Sequence, residues 1–140
     1  MTQARILIVD DHAAVREAIR LLLVRQPEYQ VCGEAATAQE AIYRSKEITP
    51  DVILLDVSLP DRSGLDALPE IRVGSPHSSI LIVSQHDPQH IKPIALSLGA
   101  KGFISKTSLC HELVSAIETA LASSPPDQLE QSIRDGRCDT

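Results

Sequence analysis

Val52-Ile53-Leu54-Leu55-Asp56 is a run of four aliphatic residues that stops at an acid, with Pro50-Asp51 before it and Leu59-Pro60-Asp61 after it. An uninterrupted apolar run between turn residues reads as a short strand buried on both faces, as in a parallel sheet covered by helices. Asp56 then stands where the strand leaves the core. A carboxylate is costly in an apolar interior, so an acid there should open into a solvated cleft, and open α/β sheets bind ligands along that edge. Taken alone, Asp56 also fits a strand-ending residue that caps a turn. Three other strands that end in polar groups shift the balance.

Before the central run, Ile6-Leu7-Ile8-Val9 is a second all-apolar strand and ends in the pair Asp10-Asp11. Ala13 to Val24 follows as a helix with Val15, Ile19, Leu22 and Leu23 on one face and Pro27 beyond its end. Gln30 to Glu34 is shorter and more polar, which suits an edge strand. Thr37-Ala38-Gln39-Glu40 reads as a capping box opening a helix to about Glu47.

After the central run, Ser63 caps a helix from Gly64 to about Val73, with Pro69 inside it. Ile80-Leu81-Ile82-Val83 is a fourth strand and ends in Ser84. Asp87-Pro88 opens a helix that runs to Leu98 and closes at Gly99, interrupted by Pro93. Gly102-Phe103-Ile104-Ser105 is a fifth strand ending in Lys106, and Leu109, Leu113, Ile117, Ala120 and Leu121 stripe a last helix. Residues 1–122 therefore form one domain of five strands alternating with five helices, a three-layer α/β sandwich of the flavodoxin-like (βα)5 class with a parallel sheet in the order 2-1-3-4-5. From Ser123 to Thr140 the composition is polar, and a flexible linker or tail is expected.

The bulk properties agree. A chain of 140 residues is the size of one domain, and with no Trp, one Phe and two Tyr its core must be aliphatic. A net charge of -6 offers no field for a phosphate backbone, so no nucleic-acid binding by this domain is expected. Cys32, Cys110 and Cys138 are odd in number and widely spaced, which suits reduced thiols. The sequence shows neither a leader nor an apolar run long enough to span a bilayer, so no membrane contact and a cytoplasmic location are expected.

In that strand order the first and third strands are neighbours at the switch point, so Asp10, Asp11 and Asp56 converge, with Ser84 and Lys106 on the same edge. Clustered carboxylates repel one another unless a cation joins them. Mg2+ answers that need with oxygen ligands and water, and it commonly bridges to phosphate oxygens. Asp56, central and at the end of a buried strand, is the candidate nucleophile for an aspartyl phosphate.

These residues resemble the receiver domains of two-component response regulators over roughly Arg5 to Leu121. The motifs are Ile-Val-Asp10-Asp11-His, Leu-Leu-Asp56-Val-Ser-Leu-Pro60-Asp-Arg-Ser-Gly64-Leu, Ile-Val-Ser84 and Gly99-Ala-Lys-Gly-Phe103-Ile-Ser-Lys106. The resemblance implies Asp56 as phosphoacceptor for a sensor histidine kinase. It implies Asp11 as a direct Mg2+ ligand, Asp10 as an acid acting through water, and the Ser58 carbonyl completing the set. It implies Ser84 as switch hydroxyl, Phe103 as rotating aromatic and Lys106 as the phosphate-pairing lysine. The output surface would comprise the helix from Pro88, the strand before Lys106 and the helix after it. An output domain, a partner protein or a second copy of the phosphorylated chain would dock there. The Gly-Ala-x-Gly-aromatic phrase is most similar to the subfamily with a helix-turn-helix DNA-binding output, whose role is transcription regulation.

This chain departs from the family at Gln85, usually a small residue beside the phosphoryl pocket, and at Thr107, where Pro is common. Gln85 and His86 are thus expected to set access to the pocket. No output domain can be read after residue 122, so the sequence fits a stand-alone receiver or part of a longer regulator. His86 and His90, four apart, read as solvated residues rather than a metal pair, and His12 as a loop residue. Glu17, Glu28, Glu34 and Glu40 read as solvated charges, and Tyr29 and Tyr43 as partly buried packing residues. A haloacid-dehalogenase-like phosphatase needs a second acid where Ser58 stands. A flavodoxin-like flavin binder needs a hydroxyl- and Gly-rich loop where Asp10-Asp11-His12-Ala13 stands.

Overall fold

The computed structural model describes residues 3–122. The expectations for Ser123–Thr140, Cys138 among them, lie outside the described residues. The elements are β1 (Ala4–Val9), α1 (Ala13–Val24), β2 (Tyr29–Ala35), α2 (Ala38–Ile48), β3 (Val52–Asp56), α3 (Gly64–Gly74), β4 (Ser79–Ser84), α4 (Pro88–Ser97), β5 (Gly102–Ser105) and α5 (Leu109–Ala122). A short 3-10 turn, Lys106–Ser108, precedes α5. All strand pairs are parallel and the order is β2-β1-β3-β4-β5, as the sequence predicts.

The aliphatic runs explain the sheet, because every residue of β3 and β4 is buried. Alternate side chains feed two cores. Leu7, Val9, Ile53, Leu55, Ile80 and Ile82 pack under α2, α3 and α4. Ile6, Ile8, Val52, Leu54, Leu81 and Val83 pack under α1 and α5, whose Ile19, Leu23, Leu113 and Ile117 meet them. The shift from period two to period 3.6 in the sequence thus sorts the chain into three layers.

Local signals set the helix starts. The Thr37 hydroxyl accepts from the Glu40 backbone N–H at 3.0 Å, and the Glu40 carboxylate accepts from the Ala36 N–H at 2.8 Å. Asp61 adds a cap from another element: its two oxygens accept from the Ala38 and Gln39 N–H groups at 2.8 and 2.9 Å. Those bonds hold the Asp61 carboxyl below its usual range. Ser63 and Asp87 cap α3 and α4 as expected. In α4, where Pro93 removes a donor, Ala95 alone is fully buried.

Two expectations are corrected. Tyr29 is buried, but Tyr43 stands 63% exposed on α2. Glu34 is not a solvated charge: it binds Arg16 and Arg20 of α1. His86 and His90 are both exposed, as expected, with His86 standing before the start of α4.

Gly64 opens α3 directly beneath the central strand, where a Cβ would overlap the Asp56 carbonyl oxygen. Gly64→Ala should therefore cost about 2 kcal/mol of stability by overpacking, read as a lower urea midpoint. Gly74→Ala, whose Cβ would come no nearer than 3.3 Å to Lys46, should change that midpoint far less.

Candidate functional site

The carboxyl edge of the sheet gathers the ends of β1, β3, β4 and β5. Asp10 follows β1, Asp56 ends β3, Ser84 ends β4 and Lys106 follows β5. Parallel pairing places Val9 beside Leu55, so the two acid-bearing ends are adjacent. The Lys106 ammonium sits 2.9 Å from Asp10 Oδ2 and 3.2 Å from Asp56 Oδ2. All three side chains are nearly sealed, at 7% exposed for Lys106 and 2% for each acid.

Asp10 and Asp11 also face His12, whose Nδ1 lies 3.1 Å from an oxygen of each. The His12 backbone N–H donates to Asp10 Oδ1 at 2.8 Å, and the Ser58 N–H donates to Asp56 Oδ1 at 3.2 Å. One ligand atom each from Asp10, Asp11, His12 and Asp56 fits within 4.8 Å of the others. His12 is therefore a member of the cluster that sequence reasoning placed in a loop. Its signal was adjacency to the acid pair.

Burial, then the neighbouring Asp10 charge, raises the Asp56 pKa, although Lys106 opposes them. Lys106 is desolvated too, yet its contacts with the two acids outweigh that and raise its pKa. Three carboxylates face one ammonium, which leaves two negative charges uncompensated. Asp10 Oδ2 and Asp56 Oδ2 are buried and share the Lys106 ammonium as their one charge-assisted partner. The three carboxylates of that cluster suit a hard divalent cation.

Around this cluster, the Ser84 hydroxyl is fully buried and accepts from the His86 backbone N–H at 2.9 Å. The Ser58 hydroxyl meets His86 Nε2 at 2.9 Å, which ties the loop after β3 to the loop after β4. Gln85 is exposed beside that link. Phe103 is half-buried and packs against the core under α2, α3 and α4, which Ile91, Ala95 and Leu98 also join. The expected site residues thus share one sheet edge, with Phe103 on β5 packing toward the layer of α2, α3 and α4.

A doubly wound parallel sheet in this strand order, with acids, a hydroxyl and an ammonium converging on its switch edge, defines a flavodoxin-like fold with a charged cleft at its carboxyl edge. The response regulator receiver domain family matches residues 6–118, and this chain belongs to it. The transcriptional regulatory protein YdfI of Bacillus subtilis is 34% identical over 118 residues, 84% of this chain and 54% of that protein. The chemotaxis protein CheY of Thermotoga maritima is 34% identical over 81% of this chain and 93% of its own length. A two-component response regulator of the LuxR family from Aurantimonas sp. superposes with a TM-score of 0.81 at 39% identity, covering 96% of this chain and 98% of that one. The chain spans about half the length of the transcriptional regulators it matches.

The raised Asp56 pKa fixes the sign of a pH effect. The native state holds the Asp56 proton more tightly than the unfolded chain, so this group favours folding below the unfolded value near 4 and loses that contribution as pH rises through the raised native pKa. Asp56→Asn should therefore raise the melting temperature in EDTA at pH 7 by a few degrees, and the gain should shrink toward acidic pH. Lys106 keeps Asp10 as its partner in that variant.

Proposed function

We propose that Asp56 accepts a phosphoryl group from a sensor histidine kinase with Mg2+ held by Asp10, Asp11, Asp56 and the Ser58 backbone carbonyl. The observation that carries this is the pair of buried acid oxygens that share one ammonium, with the Asp11 carboxylate close enough to join them around a cation. When bound, the metal would neutralise the excess charge on the acids and the phosphoryl oxygens. An Asp56 oxygen attacks phosphorus, the P–O bond forms, and the P–N bond of the phosphohistidine breaks with its electron pair leaving on the imidazole. Lys106 turns its ammonium to the transferring oxygens and orients them.

The product places about two negative charges and three acceptor oxygens at the sheet edge. Ser84 exchanges its bond with the His86 N–H for one donated to the phosphoryl group, and Phe103 turns inward into the space. This biases α4, the thinly anchored helix, and with it the surface made by α4, β5 and α5. That surface would receive an output domain, a partner protein or a second phosphorylated copy. The resemblance to LuxR-family regulators supports transcription control in the cytoplasm by a longer protein, with Ser123 to Thr140 as its polar connector. The domain turns over no substrate of its own beyond self-phosphorylation from small donors and slow hydrolysis of the aspartyl phosphate.

Acetyl phosphate with Mg2+ should give one labile adduct by mass spectrometry, absent in Asp56→Asn and without Mg2+. An adduct that survives in Asp56→Asn contradicts the assignment. Lys106→Ala should accept phosphate on the order of a hundredfold more slowly. Beryllofluoride should shift the amides of α4 and β5 in wild type but not in Ser84→Ala. His86→Ala should open the Ser58 link and shorten the life of the phosphoprotein severalfold, whereas Gln85→Ala should ease entry of the small donor.

A further inference from the structure

Arg16 and Glu34 belong to none of the roles above, yet they meet the acid loop. Arg16 Nη1 donates to the Asp10 backbone carbonyl at 2.6 Å, and its Nε donates to Glu34 Oε1 at 2.9 Å. Arg20 Nη1 pairs with the other Glu34 oxygen. Arg16 and Glu34 are 21% and 28% exposed, Arg20 42%. The Asp10 N–H donates to the Ala35 carbonyl at 3.0 Å. The end of β2 therefore grips Asp10 at both backbone poles, directly at the N–H and through Glu34 and Arg16 at the carbonyl.

That grip depends on an irregularity in the edge strand. Ile6 pairs with Val31 but Leu7 with Gly33, so Cys32 is an extra residue in β2. The bulge moves every later residue to the other face. Ala35 joins the core with Val9, and Glu34 turns to the face covered by α1, where Arg16 and Arg20 stand.

We propose that the Glu34–Arg16 pair is a positioning clamp for the metal-binding loop. The Asp10 carbonyl belongs to the peptide that carries the Asp11 N–H, so fixing it fixes the plane from which Asp11 leaves the backbone. Glu34 holds the guanidinium at one edge while the other reaches the carbonyl, a geometry that Arg's rigid fork allows. The inference rests on the reading of Asp10, Asp11 and Asp56 as the metal site. It assigns Arg16 and Glu34 the task of presenting that site in its binding shape before the cation arrives.

In Arg16→Met the sign of the effect separates the clamp from plain electrostatics, and in Glu34→Gln, where both weaken binding, the exchange pattern does. Removing a positive charge near a cation site should strengthen Mg2+ binding through space, whereas removing the clamp should weaken it. We expect calorimetric titration with Mg2+ to show binding about tenfold weaker in Arg16→Met and in Glu34→Gln, the low end for losing an outer-shell support. Arg20→Gln, which does not touch Asp10, should lose much less. Amide exchange at Asp11 and His12 without metal should rise in the first two variants while β3 stays protected.

Binding in Arg16→Met and Glu34→Gln as tight as wild type, with only the melting temperature in EDTA lowered, would make the pair structural and overturn the clamp. So would tighter binding in Arg16→Met. If Arg16→Met does not fold, Glu34→Gln with its exchange pattern decides. Asp11→Ala runs alongside. If wild type binds no Mg2+, or Asp11→Ala binds it equally well, the metal-site reading itself fails, an outcome distinct from loss of the clamp alone.

Discussion

The Lys106 ammonium between the Asp10 and Asp56 carboxylates is the contact on which the carboxyl edge of this domain depends. Two acids on neighbouring strand ends, almost sealed from water, are tolerable only with a cation between them. No other lysine or arginine pairs with either acid side chain among the described residues. The strand order makes the contact possible: β1 and β3 are adjacent, and β5 lies beyond β4. A four-carbon stem can cross that interval while its ammonium remains the compact charge the site needs. Gly64 matters for the same reason, since the start of α3 must press against the Asp56 carbonyl without a side chain between them.

One ammonium is not enough for three carboxylates. Burial first, and the neighbouring Asp10 charge second, raise the Asp56 pKa. A divalent cation among these acids would oppose that shift by favouring the ionised carboxylate. On the proposed reading, a cation bound there would relieve the repulsion between the acids and so add to the stability of the folded state.

Much of this was legible because strands buried on both faces are continuous aliphatic runs, and the residue ending each run stands at the sheet edge. Asp10, Asp56, Ser84 and Lys106 were found that way. β2 was the weakest reading because a bulge at Cys32 breaks its alternation. That same bulge hid Glu34, whose partners lie 14 and 18 residues earlier on another element. The Asp61 cap on α2 escaped for a like reason, since a long-range carboxylate-to-backbone bond leaves no periodic trace. His12 and the Ser58–His86 link depend on loop conformations that residue type alone does not dictate.

The central claim is that the buried acids are electrostatically incomplete until a dication joins Lys106. It is tested most directly by following the Asp56 side-chain carboxyl carbon by NMR through a pH titration, in EDTA and in Mg2+. The account predicts a midpoint above the ordinary aspartate range in EDTA and a clear shift to lower pH with Mg2+. An ordinary midpoint that Mg2+ leaves in place would contradict it.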